Sequence, residues 1–295
     1  YTRGPSPIRG RVPGIVVRPG TVEEISEIVR LANKTKTSVM PRGGGASVAG
    51  FPIVDGAEAG ILIDMLRLNR ILYVDDDNML TGAECGIVLS DYATEMKKKG
   101  YQLYTVDVPQ FIDSLGGVLS GFTGGGEPSD LSVTGEVTNF LLGLEVVLPN
   151  GDIIQTGTGP QQNPNRNRVI DRFPGCPDIT GMFVGDAGSF GIKTKAFFKM
   201  EPFPTEYAFS GYTFDSFDKV WTVLSKLASM MPHPYTRIVA VRPLVGDWVL
   251  VNIARGWVIE ETEMQLNTFN KICQENGAEE ISPEYAYNLA GSWGG

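Results

Sequence analysis

At 295 residues, with 42% hydrophobic and 20% charged side chains, the chain has the composition of a globular enzyme and is long enough for two domains, since single cores stop growing at roughly 250–300 residues. Its formal net charge of −9 argues against a nucleic-acid surface, which needs clustered Lys and Arg to displace counterions. The basic run Lys97-Lys98-Lys99 closes a helix, where cations complement the dipole. No apolar run approaches the roughly 20 residues of a bilayer span, and the start lacks a signal-peptide core. Three cysteines, Cys85, Cys176 and Cys273, stand too far apart for a zinc or iron–sulfur site, so free thiols in a reducing, cytoplasmic setting are expected. Tyr1, with no Met before it, reads as a start from which upstream residues are missing.

In chain order, a strand at about Ile15–Arg18 leads to Thr21 and Glu24, spaced as a capping box, with Ile25, Ile28, Val29 and Ala32 recurring at helical spacing behind them. A helix over roughly 21–33 follows from that pattern. The β-prone Ser38–Met40 then runs into a glycine turn, Pro41 to Ser47. Consecutive glycines let several backbone N–H groups approach one anion. The turn matches neither G-x-G-x-x-G nor the P-loop, and taken alone it serves an exposed loop or a strand connection equally well. Strands are expected at Gly60–Asp64, Ile71–Val74 and Met79–Ala83, and a helix over Val88–Lys99 closed by Gly100. A second glycine zone, Ser114–Gly126, suits a short helix packed closely on a ligand or a backbone. Leu144–Leu148 and Ile153–Thr156 flank Asn150-Gly151 as a hairpin. A third zone, Asp178–Ile192, leads into a strand at Thr194–Met200, and Pro202 and Pro204 mark a domain boundary.

Beyond residue 204 the order is strand, helix, strand, strand, helix, at about 208–213, 217–230, 238–243, 248–255 and 260–276. This is a ferredoxin-like half-unit whose final partner strand is not evident. Phe217 and Trp221 stand at helical spacing and are assigned to the core. Tyr285, Tyr287 and Trp293 form an aromatic cluster without periodicity, fit to close a pocket or dock a partner.

Val17-Arg18-Pro19 with Glu24, Pro41–Ser47, Ser114–Gly125, Leu142–Gly151 and Asp178–Ile192 together resemble the FAD-linked oxidases and dehydrogenases of the vanillyl-alcohol oxidase and p-cresol methylhydroxylase (PCMH) type. The resemblance is strongest to the D-lactate dehydrogenase and glycolate oxidase flavoprotein branch, and it covers about residues 12–203. It implies an α+β fold: a PCMH-type FAD-binding domain of two subdomains at 1–203, then part of a ferredoxin-like α+β cap or substrate domain at 204–295.

The same resemblance implies FAD contacts from Pro41, Arg42, Gly43, Gly44, Gly45, Ala46 and Ser47 around the diphosphate. Pro109, Ser114, Gly116, Gly117, Ser120, Gly121, Gly124 and Gly125 would line its other side. Val146 would meet the adenine by its backbone, and Gly185, Gly188, Gly191 and Ile192 would close over the cofactor. The chain departs from the family at Gly121-Phe122, where Thr-Asn is usual, at Thr138-Asn139 in place of Arg-Asp, and at Ala187 in place of an acid. The one histidine, His233, lies beyond the flavin domain, so FAD is expected to be non-covalent.

Oxidation of a 2-hydroxy acid needs a base and a cation for the carboxylate. His233 is a candidate base in a proline-flanked loop, and Arg237, Arg242 and Arg255 are candidate carboxylate ligands, with solvated sheet-edge arginine as the plainer role for each. The implied function is dehydrogenation of a small hydroxy acid or alcohol, with electrons passed to an acceptor protein, a quinone or an iron–sulfur subunit rather than to NAD. An oligomer or complex is expected. Two alternatives stand beside it: an FAD-carrying electron-transfer or assembly subunit that is incomplete alone, and a cofactor-free member. The chain stops before the histidine motif that branch members carry near their C-terminus, which fits a truncated chain or a partner that completes the site.

Overall fold

The computed structural model describes residues 12–47, 60–103, 112–121, 130–132, 140–159, 169, 171–173, 177–231, 235, 237–242 and 246–291. It has mixed helix and sheet, in two compact units: residues 1–124 with 136–201, and residues 125–135 with 202–295.

The first unit opens with β1 (Ile15–Val17), α1 (Val22–Thr35), β2 (Val39–Arg42) and β3 (Ile61–Asp64), whose strands form a parallel sheet in the order β1-β3-β2. The helix starts as its capping residues dictate. The Thr21 hydroxyl accepts from the Glu24 N–H at 3.2 Å, and the Glu24 carboxylate reaches back to the Gly20 N–H at 2.6 Å. The apolar stripe of α1 buries Ile25 and Val29 in one core with Ile63, Met65 and Val147. Full burial of such side chains contributes about 1.5–3 kcal/mol each.

β4 (Ile71–Asp75), β5 (Leu80–Glu84), α2 (Leu89–Lys98) and α3 (Leu115–Ser120) follow, then β6 (Leu141–Val147), β7 (Ile153–Gln155) and β8 (Ile192–Lys199). These strands make a five-stranded antiparallel sheet ordered β4-β5-β8-β6-β7. β6 is buried along its whole length, as a central strand with both faces covered must be. The β6–β7 hairpin turns at Gly151 with φ +88°. Tyr92, Met96, Leu115 and Leu119 share a core with Leu144, Val146 and Ala196.

The second unit contains β9 (Glu206–Phe214), α4 (Phe217–Ala228), β10 (Arg237–Val241), β11 (Trp248–Gly256), α5 (Ile259–Glu275), β12 (Glu279–Ile281) and α6 (Pro283–Gly291). Its sheet runs β12-β9-β11-β10, with Asp130–Ser132 as a further strand on the β10 edge. The partner strand not evident in the sequence is therefore β12, pairing Gly211–Thr213. One face buries Tyr212 and Leu250 in a core with α4 and with Phe269 of α5, and the other packs Val249, Val251 and Ile253 on Ala286 and Leu289 of α6. Phe217 and Trp221 correct the core assignment, being 45% and 59% exposed. The helix turns Val220, Val223, Leu224 and Leu227 inward, leaving the two rings outside with Phe217 4.9 Å from Trp248.

Candidate cofactor-binding site

The three glycine zones meet in the first unit. A Cβ at Gly43 would strike the Ser114 hydroxyl, and one at Gly44 the carbonyl oxygen of Ile112, so the first turn lies directly on the segment that opens α3. Gly188 stands in van der Waals contact with Pro41, its Cβ position 3.6 Å from that ring, and Gly185 is equally close to the Gly121 carbonyl. Gly185 and Ala187 donate to the carbonyls of Leu119 and Ser120 at 2.9 and 2.7 Å, tying the third zone to the end of α3.

The backbone N–H groups divide the zones by role. Those of Gly43, Gly44, Gly45, Ala46 and Ser47 meet no acceptor among the described residues. Such groups in a half-buried turn require a partner. Gly45 has φ +77°, and the buried Arg42 guanidinium lies against it, placing a positive charge under the turn.

At α3 the amides are already taken: Leu115 donates to Ile87 O at 2.9 Å, Gly116 to Cys85 O at 2.7 Å and Gly117 to the Ser114 hydroxyl at 3.3 Å. Gly116 and Gly191 are glycines for packing, since a Cβ would crowd Cys85 in the first case and Val146 and Val147 in the second. The second and third zones therefore offer shape, and the first offers hydrogen bonds.

A cavity of about 240 Å³ adjoins the turn, walled by Val29, Ala32 and Asn33 of α1, by Thr37, Val39 and Pro41, by Val147, Leu148 and Pro149, and by Gly188, Ser189, Gly191 and Ile192. Its walls mix apolar side chains with polar groups, Asn33, Thr37 and Ser189 among them, and its volume lies below the roughly 300–1,000 Å³ of a whole small-molecule site. It suits one flat ring system at the end of a longer ligand. The residues thus fit a dinucleotide: a base-sized cavity, reached by Pro41 of the turn, and five amides for the diphosphate. Val146 points its side chain into the core at 0% exposure, and the next residue, Val147, lines the cavity. Ser120 and Gly121 border the third turn. Pro109, Gly124, Gly125 and His233 lie outside the described residues.

Two features went unread in the sequence. Burial lifts the Asp113 carboxyl, next to Ser114, to about 6. The second is a buried ion pair, Lys193 Nζ to Asp186 Oδ1 at 2.6 Å.

In the second unit, Arg237 pairs with Ile253 across β10 and β11, and Arg255 lies two residues further along the same face. The Tyr207 ring, directly opposite Arg255, lies 5.5 Å from its Cζ. Arg237 is 7% exposed. Burial, and then the Arg255 charge, push its guanidinium down to about 10. Arg242 stands apart from this pair, stacked 5.6 Å over the Trp248 ring.

The first unit carries an FAD binding domain and has the fold of PCMH-type flavoproteins. The FAD binding domain family matches residues 13–157. Among relatives, the chain is 30% identical over 205 residues to the glycolate oxidase subunit GlcD of Bacillus subtilis (strain 168), covering 69% of this chain and 40% of that protein. It is 29% identical over 229 residues to the alkyldihydroxyacetonephosphate synthase of Trypanosoma brucei brucei, covering 77% and 35%. The solved structure of p-cresol methylhydroxylase with substrate bound shares the fold at a TM-score of 0.77 and 20% identity, over 97% of this chain and 61% of that one. The chain thus spans less than half the length of the two curated relatives. Among the described residues no helix is long and apolar enough to cross a membrane, and no cluster of metal-ligating side chains occurs.

Proposed function

We propose that the protein is an FAD-dependent dehydrogenase of a small 2-hydroxy acid or alcohol. It works in the cytoplasm and passes electrons to a protein or quinone acceptor, an iron–sulfur subunit among them, rather than to NAD. Residues 1–203 serve as the FAD-binding domain and 204–295 as part of the substrate domain. The observation that carries this reading is the row of five open amides at Gly43–Ser47, near a base-sized cavity. These residues hold FAD without a covalent bond: the turn and Arg42 take the diphosphate, while Ser114–Gly121 and Gly185–Ile192 confine the rest by close backbone approach. Bound FAD supplies the redox step by accepting hydride at N5.

The chain's own contribution to the substrate is charge and orientation. Arg237 and Arg255, two cations on one sheet face, are the candidate ligands of a substrate carboxylate. Tyr207 stacks on Arg255 and holds its fork in place. The name of the glycolate oxidase relative supports that substrate class. Anaerobic addition of glycolate or D-lactate to the flavin-loaded protein is expected to bleach its flavin absorption. Arg237→Gln and Arg255→Gln should each raise the substrate concentration needed by at least about tenfold, without loss of flavin. A protein that takes up no FAD on reconstitution overturns the reading.

The same relative is by name a subunit. That favours a second reading, an FAD-carrying subunit whose reaction a partner completes. Flavin that is present but bleached by no hydroxy acid would select it.

A further inference from the structure

The third glycine turn is under two kinds of stress. Gly185, Ala187 and Gly188 all hold left-handed φ, at +67°, +53° and +77°. For alanine such a conformation costs on the order of 1 kcal/mol and persists only where its surroundings enforce it. Beneath the turn lies the Lys193–Asp186 pair, both side chains 1% exposed. A buried ion pair is stabilising only when its geometry and remaining hydrogen bonds are good, and apolar side chains of like volume commonly do as well.

Both stresses are resolved at one carboxylate. Asp186 Oδ1 accepts the Gly188 N–H at 2.9 Å as well as the lysine, and Oδ2 accepts the Phe190 N–H at 3.2 Å. The Asp186 carbonyl takes the Ser189 N–H at 2.9 Å. Lys193, anchored in β8 opposite Val146, fixes the carboxylate from below and cancels its charge. The turn held this way supplies Gly188, Ser189, Gly191 and Ile192 to the cavity wall. Burial alone pulls the lysine below its usual value, and Asp186 opposes that.

We infer that Asp186 and Lys193 are positioning residues for the cofactor: together they hold the third glycine turn in the shape that walls the base-sized cavity, and so they set FAD affinity without touching FAD through the turn's own amides. This rests on the FAD reading above. A carboxylate two residues before Gly188 reaches the turn's amides, those of Gly188 and Phe190. The lysine keeps a negative charge from facing a dianionic diphosphate uncompensated.

The test is the full chain carrying Asp186→Asn, Lys193→Met, or the paired Asp186→Leu/Lys193→Met, in which an apolar couple replaces the ion pair. Amide exchange at Gly188 and Phe190 is measured without cofactor, FAD affinity is measured by titration of apoprotein, and thermal unfolding checks the fold. Asp186→Asn and Lys193→Met should each weaken FAD binding by at least about tenfold and speed both amides' exchange by a similar factor. The paired variant should unfold no lower than wild type yet share the losses, which a purely structural pair would not produce. Wild-type affinity and amide protection in a folded Asp186→Asn or paired variant overturn the inference. If the wild-type protein itself takes up no FAD, the cofactor reading fails separately, and the exchange rates at Gly188 and Phe190 still decide whether the pair shapes the turn.

Discussion

Gly44→Ala probes the open-amide turn most directly. A Cβ there would land on the carbonyl oxygen of Ile112, with its carbon at 2.6 Å and the Asp113 nitrogen at 3.4 Å. All three neighbours are backbone, so no side chain can rotate away and the turn must move off the 112–114 segment. Overpacking of this kind costs about 1–3 kcal/mol, or a fall in midpoint of about 2–10 °C for a unit of this size. The larger effect falls on the cofactor. Displacing even two amides from a phosphate, at about 1.5–3 kcal/mol per charge-assisted bond, removes roughly 3 kcal/mol or more, which is at least about a hundredfold in affinity. Gly100→Ala is the control. Its φ is +83° but nothing lies within 4 Å of its Cβ position, so it suffers only the backbone strain of about 1 kcal/mol. FAD titration of the two apoproteins, followed by flavin fluorescence, separates them. Equal FAD affinity for Gly44→Ala and wild type, or equal losses in the two variants, would refute the assignment of this turn to the diphosphate.

Other consequences concern stability and reactivity. The Asp113 carboxyl sits at about 6 instead of 3.8, so its protonated form stabilises the fold below pH 4 and that contribution is lost as pH rises through 6. Asp113→Asn should therefore raise the unfolding free energy at pH 8 by on the order of 1–2 kcal/mol and leave it unchanged near pH 3.5; equal gains at both pH values would contradict this. Burial pushes the Cys85 and Cys273 thiols up, and peptide mapping after treatment with a disulfide reagent at pH 8 should find neither labelled until the chain is unfolded. Trp221→Gln should change stability by less than about 0.5 kcal/mol, whereas Leu227→Ala, fully buried on the same helix, should cost about 2–5 kcal/mol in denaturant unfolding.

The strands and helices that local chemistry controls were legible. Thr21 with Glu24 marks the start of α1 because the Thr21 hydroxyl accepts the Glu24 N–H while the Glu24 carboxylate accepts the Gly20 N–H. Gly100 and Gly151 mark turns because each needs positive φ. β12 was missed for the converse reason. Glu279, Glu280 and Ile281 carry no apolar alternation, and they become a strand only because the edge of β9 is there to pair with. Asp130–Ser132 joins β10 across more than a hundred residues, a pairing no local pattern announces. Phe217 and Trp221 misled through a rule that is sound in itself: four residues apart they do share a face, but the stripe from Val220 to Leu227 defines the other one.

At the site, glycine content located all three zones but could not tell them apart. Gly43–Ser47 and Gly185–Gly191 look alike as sequence, and folded they do opposite things with their backbones. The first leaves its N–H groups open; the second spends them on the carbonyls of Leu119, Ser120 and Asp186 and on the Asp186 carboxylate. The difference rests on one acidic side chain and on the lysine that makes its burial tolerable. In the sequence Lys193 and Lys195 alternate with Ile192, Thr194 and Ala196, and nothing local names a partner for either charge. In the fold Lys193 meets Asp186, and Lys195 meets Glu145 at 2.9 Å from the neighbouring strand. Alternation reports which residues share a face, but whether a charged face is solvated depends on acids held elsewhere in the chain. At Asp186 the acid gains a buried partner in Lys193 and the turn gains its shape.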